Sequence, residues 1–125
     1  MILLVDDNHL ISEWINDVIT SMGFDLMLAE GGAEAIDIVR SHPRCRLVFM
    51  DLNLPGGMTG IKAAAEIRKL PPPAGTVPII GITGAQTYED GDLRAAARFV
   101  VELQKPFLPR DIEALIQQYA RSVER

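Results

Sequence analysis

Short, uniformly apolar runs that each end at a polar residue, set between stretches of helical period, limit this chain to few folds. Ile2-Leu3-Leu4-Val5 meets Asp6 without an intervening polar residue, and Leu47-Val48-Phe49-Met50 meets Asp51 in the same way. Runs of this kind suit strands buried on both faces. Val77 to Ile82 is expected to be another. Phe24 to Ala29 alternates in character, and Phe99 to Leu103 is cut off by Lys105-Pro106; both read as further strands. Between them, Ile11, Trp14, Ile15, Val18, Ile19 and Met22 recur at helical spacing, with Gly23 as the stop. Ala33 to Ser41 reads as a short helix burying Ala35, Ile36 and Val39, closed by His42-Pro43. A third helix uses Ala63, Ala64, Ile67 and Leu70, and Pro71-Pro72-Pro73-Ala74-Gly75 ends it. Asp92 to Arg98 can carry a short helix, and Ile112, Leu115, Ile116, Tyr119 and Val123 give an amphipathic closing one. Five strands alternating with five helices imply an α/β fold: parallel βαβ units wound on both sides of one five-stranded sheet.

Composition sets the outer bounds. With 125 residues, 48% of them apolar, the chain can fill one core and not two, so residues 1–125 are expected to form a single domain. Twelve basic against seventeen acidic residues leave a net charge of −5 and no basic run. Nucleic-acid binding is therefore not expected, because phosphate contacts need clustered Lys and Arg. One cysteine, Cys45, excludes an internal disulfide and a multi-cysteine zinc site, and suits a reducing cytoplasm. No stretch has the roughly 20 apolar residues of a membrane helix, and Met1 to Val5 lacks the basic lead of a signal peptide.

In open parallel sheets, ligands bind beyond the carboxyl ends of the strands. The residues expected there are Asp6, Asp7 and Asn8 after the first strand, and Asp51 and Asn53 after the third. Thr83 follows the fourth and Lys105 the fifth. Taken singly, each has an ordinary reading: a helix cap, a loop carboxylate, a turn residue, a solvated lysine. Taken together, separate strand ends deliver three carboxylates, a hydroxyl and an ammonium to one edge. Three carboxylates in close range repel, so either one is protonated or a cation sits among them. Oxygen ligands without a cysteine cluster or His pair favour Mg²⁺ over zinc or copper. A cation, a lysine and a hydroxyl complement a phosphoryl group in its transition state. The acceptor would be Asp51, forming an aspartyl phosphate, with Asp6 and Asp7 holding the metal.

The segments Leu-Leu-Val-Asp-Asp-Asn at 3–8, Met-Asp-Leu-Asn-Leu-Pro at 50–55, Ile-Thr-Gly at 82–84 and Lys-Pro-Phe at 105–107 resemble those of the receiver domain of two-component response regulators. The resemblance runs over essentially the whole chain, in order. It implies the flavodoxin-like strand order 2-1-3-4-5, with Asp51 as phospho-acceptor. It further implies that Asp7 ligates Mg²⁺ directly, Asp6 mainly through water, and Asn53 through its backbone carbonyl. Thr83 and Lys105 would each meet a phosphoryl oxygen, and the Lys105-Pro106 peptide would be cis. The implied partners are a histidine kinase or phosphotransfer protein, a downstream protein target, and a second copy through the face of helix 4, strand 5 and helix 5. Such domains catalyse their own phosphorylation and dephosphorylation and turn over no external substrate; kinase activity would belong only to a larger hybrid kinase. The chain would be a cytoplasmic stand-alone regulator or the receiver of a hybrid sensor histidine kinase, with no direct membrane contact.

Some positions depart from the receiver pattern. Glu102 stands where an aromatic ring usually couples to the threonine; it is expected to be a solvated edge residue, with pairing to a basic group as the alternative. Arg98-Phe99 replaces the customary Gly-Ala, and Leu54 to Gly60 is one residue longer than usual, with the double glycine of hybrid-kinase receivers. His9 reads as a helix-start surface residue, Trp14 as core or its rim, Cys45 as inert packing, and Tyr88 as a surface residue of the segment expected to move. The competing function is a docking module that works without phosphorylation. An aspartate-nucleophile phosphatase would want Asp rather than Asn53 and a cap insertion, and a flavin phosphate would be repelled by Asp6 and Asp7.

Overall fold

A computed structural model describes residues 1–54, 57–84 and 91–120. The element order is β1 (Ile2–Val5), α1 (His9–Ser21), β2 (Leu26–Ala29), α2 (Gly32–Ser41), β3 (Leu47–Asp51), α3 (Gly60–Ile67), β4 (Ile79–Thr83), α4 (Gly91–Ala97), β5 (Val101–Gln104) and α5 (Pro109–Leu115). A single 3₁₀ turn, Ala74–Thr76, precedes β4, and a π-helical turn, Ile116–Ala120, continues α5. All strand pairs are parallel, in the order β2-β1-β3-β4-β5. The expected fold class and strand order are therefore what the chain adopts.

The strands alternate between two cores, as a period of two residues requires. Ile2, Leu4, Leu47, Phe49, Ile80 and Ile82 face α1 and α5, where Ile15, Ile19, Ile112 and Ile116 meet them. Leu3, Val5, Val48, Met50 and Ile79 face the other way, onto Val39 of α2, Ala64 and Ile67 of α3, and Ala97 of α4. Every residue of β1 and β3 is buried, which explains why their sequences carry no polar alternation.

Most boundaries fall within two residues of expectation, with two differences. β2 is shorter than 24–29, because Phe24 leaves the ladder to pack under α1 and Asp25 contributes only its carbonyl to Ile2. α3 ends at Ile67, before the proline run; Lys69 and Leu70 continue in tighter turns, donating to the Glu66 and Ile67 carbonyls. Val123 and Tyr88, both singled out in the sequence, lie outside the described residues, as do Pro55 and Gly56 of the lengthened loop.

No local sequence pattern marks the clamp at Arg68. Its guanidinium donates to the carbonyls of Gly75 (3.1 Å), Val77 (2.6 Å), Ala97 (2.8 Å) and Arg98 (3.0 Å). It thus joins the end of α3, the approach to β4 and the last carbonyls of α4, where a cation also complements the helix dipole. Just past α4, Arg98 has φ 50°, the left-handed conformation that glycine adopts without steric cost. Its charge also opposes the half-buried Arg68, whose pKa is lowered by burial first and by Arg98 second. Arg98→Gly is therefore expected to stabilise the fold by about 1 kcal/mol, read as a higher urea midpoint at unchanged m-value. An unchanged or lower midpoint would contradict this account of the α4 terminus.

Candidate functional site

The strand alternation decides which side chains meet beyond the sheet. Asp6 continues the parity of Ile2 and Leu4, Asp51 that of Leu47 and Phe49, and Lys105 that of Leu103, all on the α1/α5 face. Register then brings them together, since Val5 pairs with Met50 and Asp51 with Ile82. Asp6, Asp7 and Asp51 each place a carboxylate oxygen within 4.8 Å of the others. Asp6 and Asp51 are buried and Asp7 is exposed. The Lys105 ammonium donates to Asp51 Oδ2 at 3.4 Å. The Lys105-Pro106 peptide is cis, as the resemblance implies.

Two short loops hold the carboxylates in place. Asp6 Oδ1 accepts the Asn8 N–H at 2.8 Å, and Asp51 Oδ1 accepts the Asn53 N–H at 2.9 Å, so each aspartate closes a turn onto the residue two ahead. Gly60 lets α3 begin directly against the acceptor loop: a Cβ there would stand 2.1 Å from the Asp51 carbonyl oxygen. Thr59 caps that helix by accepting the Lys62 N–H. Asn53 is exposed beside Asp51, at the edge of the cluster.

Thr83 ends β4 on the opposite parity, and its hydroxyl donates to the Gly84 carbonyl at 3.1 Å. Four of the expected site residues therefore converge around Asp51, while Thr83 stands at the rim with its hydroxyl engaged on its own loop. His9 is the first residue of α1; its side chain lies outside what is described. Trp14 is half-buried at the rim of the core, its ring 5.5 Å from that of Phe107. The Cys45 thiol is partly buried against the Leu47 carbonyl, and burial pushes its pKa up, as fits a packing residue.

The expectation that Glu102 is merely solvated needs correction. It forms an ion pair with Arg94 of α4, while remaining exposed at the edge of β5. No local signal marks this pair, because its members lie on different elements and meet only when α4 packs against the sheet. Phe99 is also absorbed: its ring lies against Gly81, where a Cβ would meet it at 3.3 Å.

The carboxylate cluster has the donor set of a cation site. Asp6 Oδ2 is buried and has no hydrogen-bond partner among the described residues. Burial, opposed by the Asn8 N–H and reinforced by Asp51, raises the Asp6 pKa. A buried, unpartnered oxygen beside two further carboxylates fits a hard divalent cation. Without metal, a raised carboxyl pKa means that Asp6 favours the fold at low pH, and this contribution is lost as pH rises through the raised value. Asp6→Asn is thus expected to stabilise the metal-free protein at neutral pH by about 1 kcal/mol, with the gain shrinking toward pH 4. The same change should weaken divalent-cation binding at least tenfold. Urea titrations in EDTA across pH, beside Mg²⁺ titrations, read both effects; a destabilised metal-free variant would refute the burial argument.

The sequence profile of the response regulator receiver domain matches residues 2–117. The chain belongs to that family. It is 33% identical over 123 residues to the DNA-binding response regulator MtrA of Mycolicibacterium smegmatis, covering 98% of this chain and 51% of that protein. The chain thus spans about half the length of the curated relatives it matches. Among solved structures, it resembles the receiver domain of a sensor histidine kinase from Pseudomonas aeruginosa (TM-score 0.81, 29% identity, 96% of both chains). That crystal structure has a magnesium ion coordinated in its active-site cleft. The receiver domain of a histidine kinase from Syntrophus aciditrophicus superposes with a TM-score of 0.84 at 20% identity, over 99% of this chain and 92% of that one, a likeness of fold. Membership of this family implies signalling by phosphoryl acceptance within two-component systems. No helix among the described residues is long and apolar enough to cross a membrane.

Proposed function

We propose that residues 1–125 act as one receiver domain, a switch that takes a phosphoryl group onto Asp51. The donor is the phosphohistidine of a histidine kinase or phosphotransfer protein, or a small acyl phosphate. The observation that carries this reading is the Lys105 ammonium held 3.4 Å from Asp51 Oδ2, inside a ring of carboxylates. One Asp51 oxygen attacks phosphorus, the bond from phosphorus to the donor nitrogen or oxygen breaks, and the donor leaves with that electron pair. Lys105 stabilises charge on a phosphoryl oxygen, and Thr83 turns from Gly84 to meet another. Asp6, Asp7, Asp51 and the Asn53 carbonyl would hold Mg²⁺, which supplies the remaining charge neutralisation at that centre. Attack of water on the acyl phosphate resets the switch.

The dianionic phosphoryl group on Asp51 biases the strand end at Thr83, and with it the region leading to α4. Here the Arg94–Glu102 pair, rather than an aromatic ring, links that helix to β5. The altered surface recruits a downstream protein, and the α4-β5-α5 face is the one we assign to pairing with a second copy. The setting is cytoplasmic.

The test is intact-mass spectrometry after incubation with acetyl phosphate and Mg²⁺, with an EDTA arm. A single phosphoryl adduct that forms only with the metal is expected. If neither this adduct nor a beryllofluoride-induced change in the spectrum of backbone amides is seen, phosphorylation is refuted, and a docking module independent of it becomes the better account.

A further inference from the structure

β2 forms one edge of the sheet, with β1 on its inner side and no strand beyond it among the described residues. Ile2 donates to the Asp25 carbonyl and Asp6 to the Ala29 carbonyl, so the odd-numbered residues of this stretch turn their backbone groups toward β1. Those of Leu26 and Leu28 face outward, where the ladder gives them no partner. The next outward amide, that of Glu30, is closed off by the Glu34 carboxylate, which accepts it at 3.0 Å. Edge strands ordinarily carry Lys, Pro or a bulge that discourages pairing. β2 reads Leu-Met-Leu-Ala in unbroken register and carries none of these. Leu28 is 47% exposed. With Leu26, it lines an open hollow of about 270 Å³ against Ser12, Glu13 and Asn16 of α1.

Charge selects the occupant. No Lys or Arg precedes Arg40, whereas eight of the seventeen acidic residues do. Those residues lie along β1 to α2, the half of the sheet that ends at β2. Glu13, Asp17 and Asp25 are exposed there, and none of the three has an ion-pair partner among the described residues. A second copy paired on this edge would bring two acidic flanks together, whereas a cationic chain is attracted to it. We propose that the outer edge of β2 binds an extended basic segment of a partner polypeptide as an added strand, with an apolar side chain in the hollow beside Leu28 and Lys or Arg side chains against the acidic flanks. Backbone bonds to Leu26 and Leu28 supply the affinity of such a strand, and the hollow and the carboxylates its selectivity. The proposal does not rest on the function assigned to Asp51.

The probe is a fluorescein-labelled, capped heptapeptide of alternating Lys and Val, followed by anisotropy with the full chain and by backbone amide hydrogen exchange in NMR spectra. Saturable binding that weakens with salt is expected. At saturation, exchange of the Leu26 and Leu28 amides should slow at least tenfold, while that of the opposite edge strand, β5, stays unchanged. The same peptide fully N-methylated keeps its side chains and charge but has no amide donors, and should bind at least tenfold more weakly. Glu13→Lys and Leu28→Ser should each weaken binding at least fivefold. Glu113→Lys, which changes net charge as Glu13→Lys does but on α5, should change it less than twofold. Circular dichroism and urea unfolding check that each variant folds. Equal weakening by the two charge reversals, or equal binding of the methylated peptide, would overturn the proposal in favour of diffuse attraction. Slowing of the same amides without peptide, as protein concentration rises, would overturn it in favour of a second copy. Absence of binding, or of slowing at Leu26 and Leu28, would remove this edge as a docking site.

Discussion

Asp51→Asn is expected to reduce the acetyl phosphate adduct to below detection, whereas Asp25→Asn, at an exposed position on the far side of β2, leaves it unchanged. The loss is complete because an amide oxygen at this position is a far weaker nucleophile than a carboxylate, and the amide product could not form an acyl phosphate. The neighbouring aspartates do not take over, because Asp51 alone has the Lys105 ammonium directed at its second oxygen, Oδ2. Lys105→Ala keeps the acceptor but removes a preorganised positive group, for which a rate loss of about 100-fold or more is expected. Stopped adduct formation against time, followed by mass, separates the two: no product in the first, slow product in the second. An adduct that persisted in Asp51→Asn would move the acceptor elsewhere and overturn the site.

Arg68→Ala is expected to cost about 3–5 kcal/mol of stability, since truncation leaves four backbone carbonyls without their shared charged donor. Those carbonyls belong to two separate stretches, and Ala97 and Gly75 are buried, so water replaces the lost bonds poorly. Gly75 has no room to adjust, because a Cβ there would lie 2.0 Å from the Leu70 carbonyl oxygen. Arg68→Lys retains the charge but not the planar fork, and is expected to recover less than half of the loss. In the double variant Arg68→Ala/Arg98→Gly, the two effects should be non-additive, because the two guanidinium groups repel each other in the parent. Urea unfolding of the parent, the three single variants and the double variant reads all of this. A loss under 1 kcal/mol in Arg68→Ala would mean that the carbonyls find other donors and the clamp is not a stability element.

The two predictions draw on residues of very different legibility. Asp6 and Asp51 are visible because each directly follows an apolar run, and Lys105 because it closes the fifth strand segment; such ends are where a parallel sheet presents its ligands. Asp51 could be singled out because the β3 run ends on it without ambiguity. Arg68 could not, because nothing in a helix-terminal arginine distinguishes a solvated one from one that binds carbonyls of two other elements. The same holds for Arg94 and Glu102, eight positions apart in sequence and joined only through packing of α4 on β5. Glu102 looked solvated because an edge-strand carboxylate has no local partner.

Alternation of buried runs with helical stretches determined the class, the parallel sheet, the two-sided core and the edge at which the chemistry collects, because burial and backbone geometry impose periods that any reader of the chain can count. Register, by contrast, is a relation between distant segments. Only the tertiary structure decided that Asp6, Asp7 and Asp51 meet within 4.8 Å, that Lys105 points at Asp51, and that the Thr83 hydroxyl rests on Gly84. It also decided that Arg68 closes the end of α4. Contacts of this kind depend on angstrom-scale placement of elements far apart in the chain, which periodicity constrains in direction but not in distance.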